Sequence, residues 1–224
     1  MTRPLIIAID GPSASGKSTL GRMLARELRL LYIDTGSMYR AVALAVIESS
    51  TNERDDAAVS SMAESVKIDL AGDPDSLRVW LNGRDVTARI RDEDVTRISS
   101  IVSSIPAVRR AMVRQQRELG RRGAVMNGRD IGTVVFPDAD IKFFLDASVT
   151  ERAERRLAEE RAINPAAVYE QTLADITDRD RRDTTREDSP LVAADDAIVI
   201  DSTGLSIDEV FRRMMEIVKR KNAG

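Results

Sequence analysis

The 224-residue sequence contains neither cysteine nor histidine. Without cysteine, a disulfide framework and a thiolate metal site are both impossible. Without histidine, the usual general base and the usual zinc ligand are missing as well. Chemistry must therefore run on carboxylates, hydroxyls, lysine, arginine, backbone dipoles and a metal held through oxygen. Long apolar runs are also lacking. The opening stretch, Met1 to Ile9, is short and is followed at once by Asp10, so it does not read as a signal peptide, and no segment approaches membrane-spanning length. The expectation is a soluble cytoplasmic chain. There is no basic excess, and a formal net charge of -3 argues against a dedicated nucleic-acid binder. Lysine is scarce, five against 29 arginines. An arginine-rich genome accounts for most of such a bias, but arginine also grips phosphate bidentately, a task at which lysine is a poor substitute.

The length suits one compact α/β domain with small appendages, and hydrophobic residues at 42% can build its core. Leu5 to Ile9 is a short continuous apolar run, the pattern of a buried parallel strand. Leu20, Met23, Leu24 and Leu28 then recur at helical spacing, Leu31-Tyr32-Ile33 reads as a second strand, and Ser37 to Ile47 as a second helix. Strand, helix, strand in that order is a parallel-sheet unit. The pattern changes after the polar stretch Ser49 to Asp56. Val66 to Leu70 and Leu77 to Leu81 alternate apolar and polar residues, and the second runs into Asn82-Gly83, a hairpin turn signal. Residues 60–92 thus read as a small antiparallel insert. Helices are predicted over Val95 to Val102, Pro106 to Leu119, Glu151 to Glu160 and Ala166 to Ile176, the last leading into the charged run Asp178 to Asp183. Core strands are predicted at Ala124 to Met126, Ile141 to Leu145 and Ala197 to Ile200. Ser206 and Glu209 form a capping box for a final helix. The expected fold is a doubly wound five-stranded parallel α/β sheet carrying one β-insert.

Gly11-Pro12-Ser13-Ala14-Ser15-Gly16-Lys17-Ser18 matches the P-loop pattern residue for residue, between an apolar strand and an amphipathic helix. The glycines let backbone N–H groups turn inward around a β-phosphate, and the helix N-terminus adds partial positive charge. Lys17 would span the β- and γ-phosphates, and the Ser18 hydroxyl would ligate Mg²⁺. Gly11 to Thr19 are the candidate ATP-binding residues.

A P-loop does not by itself name the acceptor. A guanine-reading switch is disfavoured because Asn-Lys-x-Asp is absent. Asp201-Ser202-Thr203-Gly204 fits a switch-loop pattern but follows the last strand, where it reads as a strand-to-helix turn. A motor ATPase would need more chain, while a shikimate-type or other small-metabolite kinase stays open. A phosphate acceptor is already anionic and needs no base. It needs cations against phosphate repulsion and a lid against water. Cations stand in three places: Thr35 with Arg40 after the second strand, Arg129-Asp130 between Gly128 and Gly132 past a core strand, and Arg179 to Arg186.

With these residues in hand the chain resembles the bacterial cytidylate kinases from about Leu5 to Val218. The likeness rests on the Asp-Gly-Pro lead into the P-loop, on Asp34-Thr35-Gly36 with Tyr39-Arg40, and on the β-insert. It rests most on Gly128-Arg129-Asp130-Ile131-Gly132-Thr133-Val134-Val135-Phe136-Pro137, together with Arg179-Asp180, Asp183 and Arg186. Two positions depart slightly from the family pattern: Ser37 stands where alanine is common, and Thr35 where serine is frequent. The resemblance implies a P-loop kinase with core 1–48 and 93–224, an NMP-binding insert over about 49–92 and a helical lid over about 152–186. It implies transfer from Mg²⁺-ATP to CMP or dCMP. A monomer is the default expectation, and charge and hydropathy point to no nucleic-acid or membrane partner. Thr35, Arg40 and Arg129 would hold the CMP phosphate. Ser100, Arg109 and Asp130 would read cytosine, with Ser99, Ser103 and Ser104 close to Ser100. Arg179 and Asp183 would hold the sugar, and Arg186 would approach the transferring phosphate or the base. Lys17, Arg129, Arg179 and Arg186 are the implied catalytic residues.

Overall fold

The computed structural model describes residues 4–162 and 164–222. Met1 to Arg3 of the opening stretch, residue 163 within the expected lid and the last two residues lie outside the described residues. Ile6–Asp10 (β1) is buried along its whole length, as a strand covered on both faces must be. It leads through the P-loop into Lys17–Leu28 (α1), followed by Leu31–Asp34 (β2) and Thr35–Glu48 (α2). After α2 come Asp56–Ser65 (α3), Ile68–Ala71 (β3), Arg78–Leu81 (β4) and Arg84–Asp85 (β5). The chain then forms Glu93–Val102 (α4), Pro106–Gly120 (α5), Ala124–Asn127 (β6) and Ile141–Asp146 (β7). Val149–Arg161 (α6), Tyr169–Thr185 (α7), Ile198–Asp201 (β8) and Ile207–Asn222 (α8) complete it.

Five strands form one sheet in the order β2-β6-β1-β7-β8, and each pair is parallel. Alternate side chains leave opposite faces, as the period of two requires. Ile7, Ile9, Val125 and Phe143 pack with Leu20, Leu24, Met214 and Val218 on the side of α1 and α8. Ile6, Ala8, Ile33 and Met126 pack on the other side with Met38, Leu44, Val95, Val108 and Met112 from α2, α4 and α5. This is a three-layer, doubly wound sandwich. The second sheet, β3-β4-β5, is antiparallel. Its turn has positive φ at both Asn82 and Gly83, 51° and 81°, as a two-residue hairpin of type I′ demands. Its inner residues Ile68, Leu70, Val79 and Leu81 join the same hydrophobic cluster as α2, α4 and α5.

Two helices depart from expectation. The polar stretch and the start of the expected insert contain α3, whose N-cap Asp55 accepts from the Ala58 N–H. Helix α7 does not end at Ile176 but runs through the charged segment to Thr185. The expected capping box is present: Ser206 N–H donates to Glu209 Oε2 at 2.8 Å and Glu209 N–H to Ser206 Oγ at 3.3 Å. Among the described residues no helix is long and apolar enough to cross a membrane.

Candidate active site

The site lies at the carboxyl ends of β1, β2 and β6, where an open parallel sheet binds its ligands. At the end of β1 the chain turns sharply, with positive φ at Ala14 (59°) and at Gly16 (89°), which caps α1. Lys17 is 6% exposed and folds back over this loop, donating to the Pro12 carbonyl and, at 3.2 Å, to Ser15 Oγ. Burial, then the charges of Arg129 and Arg179, push its ammonium well below the ordinary lysine range. Ser18 faces the cleft, and its Oγ accepts from Asn127 Nδ2 at 3.2 Å. Thr19 follows it, half-buried.

Asp10 ties this loop to the segment after β6. Its two carboxylate oxygens accept from the N–H groups of Ile131 and Gly132 at 2.8 and 2.7 Å. Burial pushes its carboxyl up to about 6 in spite of those two bonds. The segment after β6 is thereby anchored, and Ile131 to Val135 form one wide helical turn of π type.

On the acceptor side, Asp34 is the N-cap of α2, accepting from Gly36 N–H at 3.1 Å, and Thr35 is the first helical residue. Thr35 is buried and its hydroxyl donates to the Asn127 carbonyl at 2.8 Å. A Cβ on Gly128 would lie 2.7 Å from Thr35 Oγ1, so this approach needs glycine. Arg40 sits one turn along α2. Burial holds its guanidinium below the ordinary arginine range; Asp34 pulls the other way while Arg91, Arg156 and Arg129 add repulsion.

Helix α7 lies across the cleft. Asp183 accepts from Arg129 Nε at 2.9 Å and from Arg186 Nη1 at 3.3 Å. Arg179 is lowered to about 10 by burial and then by Arg129. Arg109 and Asp130 form a buried pair, Nη2 to Oδ2 at 2.6 Å, with the Arg109 guanidinium 5.5 Å from the Tyr39 ring centroid. The structure thus gathers Lys17, Ser18, Thr35, Arg40, Arg109, Arg129, Asp130, Arg179, Asp183 and Arg186 around one cleft. Ser100 is engaged from the other direction: its Oγ accepts from Arg182 Nη1 at 2.6 Å. The serine group that touches Arg109 is the Ser103 carbonyl, at 3.0 Å. The segment from Arg179 to Thr185 is helix, with Arg186 as its C-cap.

The sequence assigned no site role to Asn127, Asp10, Arg152 or Asp180, although Asp10 and Asp180 stand in the motifs that carry the resemblance. Three buried atoms here, Arg109 Nε, Arg186 Nη2 and Asn127 Oδ1, find no partner among the described residues. Hydrogen-bonding capacity that the protein leaves unused marks a site completed by a polar ligand. The described residues hold no cluster of three or more acidic side chains able to cage a metal. Magnesium does not require one beside a triphosphate, since a hydroxyl, phosphate oxygens and waters suffice. Ser18 with the unpaired Asn127 Oδ1 behind it fits that arrangement.

A P-loop at the end of the first strand of this sheet, facing arginines supplied by α2, the segment after β6 and α7, defines a P-loop phosphotransferase. The cytidylate kinase family profile matches residues 7–220. A cytidylate kinase of Geobacter sp. (strain M21) is 46% identical over 98% of this chain and 94% of its own length. One from Bacillus velezensis is 44% identical over 99% of this chain and all of its own. A solved structure of an uncharacterized protein from Eubacterium ventriosum, 12% identical, covers 96% of this chain and 98% of its own at a TM-score of 0.50, a likeness of fold. The chain belongs to the cytidylate kinase family.

Proposed function

We propose that the chain transfers the γ-phosphoryl group of ATP to CMP and dCMP, releasing ADP with CDP or dCDP. One observation carries the reading. Arg40 and Arg179 are half-buried and make no ion pair among the described residues, while burial and neighbouring positive charge hold both below their ordinary pKa. Cations gathered at such a cost suit a site for two phosphates. The family to which the chain belongs supplies the cytosine.

The P-loop amides and Lys17 hold the triphosphate, and Lys17 follows the charge as it moves onto the bridging oxygen. Magnesium brought with ATP supplies further neutralisation at Ser18. Thr35, Arg40 and Arg129 hold the acceptor phosphate, which is already an anion and attacks in line without a base. Arg179 and Arg186 close over the equatorial oxygens from α7, and that helix keeps water from competing as acceptor. Asp130, fixed by Arg109, accepts from the cytosine amino group, with Ser100 and the carbonyl of Ser103 beside it. Asp183 and Arg179 hold the sugar. The insert over about 49–92 supports the acceptor, and α6 with α7 acts as the lid. The protein works as a cytoplasmic monomer on small molecules, away from nucleic acid and membrane. A coupled ADP-release assay across the nucleoside monophosphates and shikimate tests this. CMP and dCMP should stand above every other acceptor, and equal turnover of shikimate or AMP would overturn the reading.

A further inference from the structure

Helix α7 is attached to both halves of the cleft within one turn. On the acceptor side the anchor is Asp183, which receives Arg129 and Arg186. On the donor side it is Asp180. Its Oδ1 accepts from the backbone N–H of Ser13, inside the P-loop, at 3.3 Å. Its Oδ2 accepts from Arg152 Nη1 at 2.5 Å, and the same Arg152 nitrogen donates to the Ser13 carbonyl at 3.1 Å. Arg152 is 6% exposed and is oriented by a further bond from Nε to the Ala147 carbonyl at 2.9 Å. Both backbone groups of Ser13 are therefore held by one carboxylate–guanidinium pair whose members come from α6 and α7.

We propose that Asp180 and Arg152 are positioning residues, a clasp through which the P-loop holds α7, so that nucleotide binding to the P-loop and acceptor binding under α7 favour one another. The inference rests on the phosphotransfer reading and goes beyond it. A triphosphate that orders the loop around Ser13 fixes the two groups to which Asp180 and Arg152 are tied. That favours the docked helix, which places Arg179 and, through Asp183, Arg129 and Arg186 toward the acceptor. Two sites that bias the same two-state element are coupled, and the coupling is reciprocal.

Asp180→Asn tests the clasp with little change of shape. The carboxylate accepts from two donors on two oxygens, whereas an amide has one acceptor oxygen and would turn its NH₂ toward the other donor. CMP affinity is measured by calorimetry with and without a non-hydrolysable ATP analogue and Mg²⁺. In the wild type the analogue should tighten CMP by at least about fivefold, the lower end of common coupling. In Asp180→Asn that ratio should fall toward one. A second arm needs no variant: the analogue alone should slow amide hydrogen exchange across Tyr169–Thr185 in the wild type. A ratio that survives in Asp180→Asn, or no slowing in the wild type, overturns the clasp while both ligands still bind. A wild type that binds no CMP at all fails the phosphotransfer reading itself, and the inference with it.

Discussion

Arg129 Nε lies 2.9 Å from Asp183 Oδ2, and this ion pair joins the segment after β6 to helix α7. Burial pushes the Asp183 carboxyl up, but Arg129 and Arg179 outweigh it and hold the group below its ordinary 3.8. A depressed carboxylate contributes stability that is present above the unfolded pKa and lost as pH falls through the folded one. Asp183→Asn should therefore be less stable than wild type at pH 7, and the gap in melting temperature should close as the pH drops below about 3.8. In the variant, trypsin should cut faster at Arg181 and Arg182, which α7 carries on its exposed face. In the wild type, an ATP analogue with CMP should slow that cutting. A gap that stays constant with pH, or a cutting rate indifferent to both ligands, would remove this pair as the latch of a closing helix.

Lys17 lies over the loop it is expected to serve, bonded to Pro12 and Ser15 and raised in energy by burial and by Arg129 and Arg179. A triphosphate relieves that repulsion, most of all as charge builds in the transition state. Lys17→Met should lose at least about a hundredfold in kcat with its fold intact. Near-normal turnover by a folded variant would sink the P-loop assignment.

The parallel sheet was legible because each core strand is a short apolar run, and α1 because its apolar residues recur at helical spacing over Lys17–Leu28. The P-loop was legible because its backbone geometry needs glycine at fixed positions. Helix α3 was not, since it buries only Val59 and Ala63 and carries no wide apolar stripe; its one local signal was the capping Asp55. The last turns of α7 were hidden for a related reason. Beyond Ile176 the helix has no apolar residue to set a period, and tertiary bonds from Asp180 and Asp183 hold it. The clasp at Ser13 could not be read at all, because it joins backbone groups to side chains far along the chain. The contacts of Ser100 were equally out of reach of the sequence, since α4 carries several serines: its hydroxyl meets Arg182, while Arg109 meets the Ser103 carbonyl.

Asp10 offers a test by pH. Its carboxyl is raised from 3.8 to about 6 by burial. A raised carboxyl means that the folded state binds the proton more tightly, so its stabilising contribution is full below the unfolded value and is lost as pH rises through the folded one. Asp10→Asn cannot titrate. Whatever constant cost the lost hydrogen bond brings, the melting temperature of the variant relative to wild type should improve as pH rises from 4.5 toward 7.5, mostly before about 6 is reached, and level off above it. A difference that is flat across that range would place the carboxyl in a wetter setting than the fold implies.

Asp130 is the proposed reader of the base. Its Oδ2 is already taken by Arg109 Nη2 at 2.6 Å, which leaves Oδ1 to face a ligand. Cytosine presents an amino donor where uracil presents a carbonyl acceptor, and a carboxylate oxygen can accept only from the former. Uracil would meet repulsion there in addition to losing a bond, and buried polar sites reject such mismatches by several orders of magnitude. Wild type should therefore prefer CMP and dCMP strongly over UMP in kcat/KM. Asp130→Asn weakens a buried ion pair, a change on the order of 3 kcal/mol, so its activity should be read well below its melting temperature. An amide can turn its NH₂ toward the uracil carbonyl while its oxygen keeps Arg109. The loss should then fall mainly on CMP, with UMP unchanged or slightly improved, and selectivity should narrow. Should the variant lose CMP and UMP turnover equally, Asp130 would be acting through Arg109 and its neighbour Arg129 on the phosphate end, and the base would be read elsewhere in the cleft.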